Sequence, residues 1–138
     1  MVTVQNVFDM AIHILDEQSE STGATKTSDT DEYRFRTISI LNSAIPVLWP
    51  FSESYDPEED VPVLDADDYK NPDLDQIIEI DDRLALAVLP YFLAAKLIQT
   101  ENESLAALCM TQYREAFQDL RTRGKGTFER IQTSYGYF

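Results

Sequence analysis

The side chains able to do covalent chemistry are few and far apart. His13 is the only histidine and Cys109 the only cysteine. Nucleophilic catalysis needs a nucleophile within hydrogen-bond reach of a base, and a third group to orient that base. Here the two rarest partners fall in different predicted helices, and His13 lies off the apolar face of its own, so it reads as a surface or interface residue. Cys109 has Leu105, Leu108 and Ala116 on its predicted helix, which suggests a thiol packed as a small hydrophobe. A single cysteine also excludes an internal disulfide.

Metal and phosphate chemistry fare no better. Asp65-Ala66-Asp67-Asp68 begins like a calcium loop, whose template then requires glycine at the sixth place and glutamate at the twelfth. Those places hold Lys70 and Gln76, and Pro72 stiffens the turn. The four glycines form neither a dinucleotide-binding fingerprint nor a Walker loop. Asp81 and Asp82 are adjacent carboxylates, but acid-base work needs a shifted pKa in a pocket, which a solvated acidic loop does not provide. No catalytic residue, cofactor or metal is therefore expected, and the chain reads as a non-enzyme.

Charge is the strongest compositional signal. The formal net charge is -14, and residues 53 to 82 hold thirteen acids against Lys70 alone, a net of -12. Residues 121 to 130 carry Arg121, Arg123, Lys125 and Arg130 against Glu129, a net of +3. Phosphate binding draws on clustered Lys and Arg, so nucleic acid is not expected as a tight ligand. The longest apolar run, Leu84 to Ala95, has twelve residues and contains Pro90. A bilayer-spanning helix needs ~20, so the run predicts a buried helix and no membrane partner. The first basic residue is Lys26, so no secretory leader is expected.

These residues must be positioned by helices. Val4, Val7, Phe8, Ala11, Ile12 and Leu15 recur at three and four, predicting a first helix from Thr3, its N-cap, to Glu17. Gln18 to Ser28 reads as a surface loop. Asp29 and Glu32 form a capping pair before the stripe Phe35, Ile38, Leu41, Ile45 and Leu48, with a kink or end near Ile45 imposed by Pro46. From about residue 50 to 81 prolines and acids surround two β-prone pieces, Val61 to Leu64 and Gln76 to Ile80, which predict a small β-hairpin. A third helix, Asp82 to Gln99, is apolar almost all round and should bend at Pro90. Asn102 caps a fourth that runs to about Thr122, giving an antiparallel helical hairpin. Gly124 and Gly126 end it. The fold class is mainly α: a four-helix domain over residues 1–126 with a β-hairpin insertion, followed by an extended C-terminal tail, 127–138.

The hairpin carries a resemblance. Leu89-Pro90-Tyr91-Phe92-Leu93-Ala94-Ala95-Lys96-Leu97, the polar turn Thr100-Glu101-Asn102-Glu103, and Ala106 to Ala116 with Tyr113 and a closing Asp119-Leu120-Arg121 together resemble the head-tail connector family of tailed phages, also called adaptor or head-completion proteins. The layout is similar too: two leading helices, a β-containing insertion, a helical hairpin and an extended tail. The resemblance implies a virion protein of the neck: a homo-oligomeric ring of about twelve identical subunits, bound to the portal on one side and to a stopper or tail protein on the other. Genomic DNA would pass through without specific binding. It further implies that Phe128, Ile131, Tyr135, Tyr137 and Phe138 dock into the portal. If the acidic segment faces the channel, Asp65, Asp67, Asp68, Asp73 and Asp75 would line it and repel passing phosphates. Two alternatives stand beside this reading: an acidic DNA mimic that inhibits a host DNA-binding enzyme, and another neck or tail ring component. A mimic needs charges spaced along a rigid surface, whereas these acids sit in a proline-rich loop.

Overall fold

The computed structural model describes residues 1–16, 23–25, 30–68 and 70–136, with the side chains of 122–136 outside that description. It is mainly helical, as expected. Helix α1, Val4–Leu15, opens with a reciprocal cap. The Thr3 hydroxyl accepts the Asn6 N–H at 3.2 Å, and the Asn6 side-chain oxygen accepts the Thr3 N–H at 3.0 Å. Two amides left over at the helix start are thereby satisfied. The whole predicted stripe, Val4 to Leu15, is buried. Asp16 closes the helix at φ 58, a left-handed conformation that aspartate tolerates better than most residues.

Helix α2, Asp31–Leu48, begins after Thr30. Of the expected capping pair, Asp29 lies outside the described residues, and Glu32 instead pairs with Arg36 one turn on, at 2.8 Å. The predicted end near Ile45 does not occur: the helix continues through Pro46 to Leu48 and tightens into a 3-10 turn, Trp49–Phe51. Proline deletes one hydrogen bond of the ladder, but Ile45 and Leu48 on either side of it are fully buried, and that packing offsets the loss. Ile38 and Leu41 are buried as predicted. Phe35 is only half-buried, and Tyr33 and Thr37 take the interior places on that turn.

The expected third helix is interrupted. Helix α3, Asp82–Ala87, and helix α4, Leu89–Ile98, are separated by Val88 at φ -111, ψ -50. A break at Val88 therefore replaces the predicted bend at Pro90. Pro90 stands in the first turn of α4, where its missing N–H has no intrahelical partner to lose. Counting α3 and α4 as one interrupted unit, the expected four helical units are present. Helix α4 is the centre of the core and touches α1, α2, α3 and α5, with Leu89, Leu93, Ala94 and Leu97 at zero exposure.

Helix α5, Glu103–Gly136, starts under the predicted cap: the Asn102 side-chain oxygen accepts the Leu105 N–H at 3.0 Å. Ala106 and Cys109 are buried, and Leu105, Met110, Tyr113, Ala116, Phe117 and Leu120 pack half-buried against the core, which completes the helical hairpin. Gly124 and Gly126 do not end the helix, and the tail predicted to be extended from residue 127 has helical backbone as far as Gly136. Glycine in a helix costs about 1 kcal/mol relative to alanine without forbidding the conformation, so it marks a weak point and not a stop. Tyr137 and Phe138 lie outside the described residues.

The predicted β-hairpin is also corrected. Among the described residues there is one isolated antiparallel bridge, Thr3 with Ile77, and no strand ladder. The second β-prone piece pairs with the start of the chain: Ile78 N–H donates to Val2 C=O at 2.9 Å, and Val4 N–H to Gln76 C=O at 3.0 Å. The first piece is held by a side chain, because the Asn42 amide donates to Leu64 C=O at 3.0 Å and accepts the Leu64 N–H at 2.8 Å. Two short strands alone are marginal in water. Here each finds a better partner than the other, and Leu64, Leu74, Ile78 and Ile80 are buried against the helices.

Candidate interaction surfaces

Two surfaces stand out, one aromatic and one acidic. The aromatic one forms where α5 passes the 3-10 turn and α4. Phe92 meets Tyr113 with ring centres 5.1 Å apart, Tyr113 stacks near Phe117 at 6.3 Å, and Phe117 meets Phe51 edge-on at 5.2 Å. Lys96 lies over Phe92, and the Arg121 guanidinium lies over both Phe51 and Phe117, at 5.7 and 5.9 Å. Half-buried rings capped by cations at both ends of the seam combine apolar contact with attraction to the ring faces. Beyond Arg121 helix α5 continues for fifteen residues, a rise of about 22 Å.

The acidic surface is the segment from Glu53 to Asp82. Asp65, Asp67, Asp68, Asp73 and Asp75, the candidate channel-lining residues, are all exposed. Three of them fold the backbone back on itself. Asp65 accepts from Asp67 N–H, Asp68 from Asn71 N–H and Asp73 from Asp75 N–H, at 3.0 to 3.1 Å. Such local turns explain why aspartate dominates here and not glutamate, whose longer side chain closes them less well. Gln76 ties the two limbs: its amide accepts Asp65 N–H at 2.7 Å and donates to Asp65 C=O at 2.8 Å and Asp73 C=O at 3.0 Å.

At the far end of the segment, Asp81 serves structure. Its carboxylate accepts from the Glu53 N–H at 2.8 Å and from the buried Ser52 hydroxyl at 3.1 Å. Arg83 then pairs with Glu53 at 2.9 Å across an exposed surface. The structure does not bring the other reactive side chains together. His13 is exposed on α1, while Cys109 is buried on α5, and no hydrogen bond joins them. Burial pushes the Cys109 thiol above its ordinary range, which keeps it protonated and a poor nucleophile. Among the described residues no three His, Cys, Asp or Glu side chains gather as a metal site, and no helix is long and apolar enough to cross a membrane.

Of the candidate docking residues, the side chains of Phe128, Ile131 and Tyr135 lie outside the described residues, as do Tyr137 and Phe138 entirely. Sequence reasoning missed the residues that organise the segment. Asn42 and Gln76 looked like ordinary polar positions, and only their amides, each bonding both backbone groups of one residue, reveal the role. It also missed Tyr33, whose hydroxyl donates to Glu101 at 2.6 Å and links the start of α2 to the turn before α5. The signal available was an amide beside one apolar neighbour, Leu41-Asn42 and Gln76-Ile77. Comparison with known proteins finds no matching family model, no matching curated protein and no matching solved structure.

Proposed function

We propose that this chain is a subunit of the ring that joins the portal of a tailed-phage head to its tail or neck. The observation that carries the reading is the unequal hairpin. Helix α4 has ten residues and α5 has thirty-four, lengths of about 15 and 51 Å, so the core can accompany only the first part of α5. The remainder is basic and aromatic in sequence, with Phe128, Ile131 and Tyr135 spaced by three and four, the interval of one helical stripe. A long overhang of that composition suits insertion into a groove on a larger assembly, with a helix as the docking element. In a ring, identical copies repeat one head-to-tail contact until it closes. The partly exposed flank of α5, where Leu108 stands 57% exposed, is then the surface offered to the neighbour.

Electron microscopy of the protein mixed with its portal tests the assignment directly. The expected outcome is a ring in the neck position, lost when residues 127–138 are deleted although circular dichroism still reports a helical protein. Undiminished portal binding by the truncated chain rejects the docking role. The acidic segment is assigned to the channel wall, where like charge keeps the duplex from adhering. Replacing Asp65, Asp67, Asp68, Asp73 and Asp75 by asparagine should slow DNA ejection measurably. Normal ejection would place these acids on the outer rim.

A further inference from the structure

The acidic segment contains an opening that neither the core nor the ring reading uses. A groove of about 290 Å3 is lined by Pro62, Val63 and Leu64 on one limb and Gln76, Ile77 and Glu79 on the other, together with Ile45. Its two rims carry apolar side chains left in water: Val63 is 75% exposed and Ile77 45%.

The backbone around this groove is half used. The bonds Ile78 N–H to Val2 C=O and Val4 N–H to Gln76 C=O flank the Thr3–Ile77 bridge. In an antiparallel pair with that pattern, the two facing residues do not bond each other, and their own N–H and C=O groups point outward. Thr3 N–H is taken by Asn6. Ile77, which lines the groove, turns its N–H and C=O away from the start of the chain, and among the described residues they have no partner. Val63 N–H and C=O on the opposite rim have none either. At one end of the groove the Gln76 amide already bonds both backbone groups of Asp65, which is the pairing an inserted strand would make.

We infer that this groove takes up an extended polypeptide segment of another protein, one carrying Lys or Arg alternating with apolar residues, by strand addition to the backbone of Ile77 and Val63. Unpaired main-chain donors and acceptors select an extended chain over other ligands, and the exposed valine and isoleucine supply apolar contact for alternate side chains. Basic character follows from the net of -12 over residues 53 to 82. A second copy is disfavoured as the source. Among the described residues the chain's bases lie on helices, except Lys70, which belongs to the acidic segment itself. The inference stands whether or not the chain is a ring subunit.

The test uses the full chain, isotope-labelled, and three synthetic hexapeptides: alternating Lys and Val, alternating Glu and Val, and the Lys-Val peptide N-methylated along one backbone edge. The Lys-Val peptide is expected to shift the Ile77 and Val63 amide resonances and to slow hydrogen exchange at Ile77 by about tenfold or more. The Glu-Val and N-methylated peptides should bind about tenfold more weakly or not at all, since each loses charge attraction or main-chain bonds. Val63→Pro, at an exposed position, should weaken binding similarly with an unchanged circular dichroism spectrum. The inference is overturned if the Lys-Val peptide leaves both amides unmoved, or if N-methylation makes no difference. It is equally overturned if Ile77 becomes protected without peptide as protein concentration rises, which would make a second copy the occupant.

Discussion

In the helical core, order comes from apolar surfaces that fit. Leu89, Leu93, Ala94 and Leu97 of α4 are closed off by α1, α2 and α5, and hardly any of that contact depends on a particular hydrogen bond. In residues 53–81 the proportions reverse. Four apolar side chains, Leu64, Leu74, Ile78 and Ile80, reach the interior, and between them the chain is pinned by amides and carboxylates bonded to backbone. Apolar burial is non-directional and tolerates approximate sequence patterns, whereas a hydrogen bond fails when its donor moves by an ångström. The two regions should therefore break in different ways.

The largest effect is expected in the core. Leu93→Ala removes a fully buried side chain from the central helix and should lower unfolding free energy by about 2–5 kcal/mol, read as a shifted midpoint in urea for the molecule as a whole. Asn42→Ala attacks the other region. It deletes both bonds to Leu64 at a cost of about 1–2 kcal/mol, with faster hydrogen exchange at Leu64 and an unchanged helical spectrum. A global loss of helix in this variant would mean that the acidic segment and core are one cooperative unit. The smallest effect is expected at the rim: Arg83→Ala removes an exposed ion pair with Glu53 and should change stability by less than about 0.5 kcal/mol.

The contrast also explains how much was legible in the sequence. The stripe Val4 to Leu15, the Thr3 and Asn102 caps and the burial of Cys109 follow from helical periodicity and local hydrogen bonding, both of which act within one or two turns. Pro46 and Pro90 misled in opposite senses. One was absorbed by a helix whose flanking residues are buried, and the other sits at a break displaced to Val88. Gly124 and Gly126 misled because their helix penalty is small beside what an established helix gains by continuing. The hairpin failed because β propensity identifies segments that want a partner without saying which one they find.

By itself, the sequence determined the helical class, the order of the helical units, the inward face of α1 and the crowding of acids between residues 53 and 82, because each depends on neighbours close along the chain. Tertiary structure alone decided that residues 76–78 pair with residues 2–4, that Asn42 holds Leu64, and that Ile77, which lines a groove, has no backbone partner among the described residues. Those outcomes join residues from twenty to more than seventy positions apart, and competition among such distant partners is settled only when the core has brought them together.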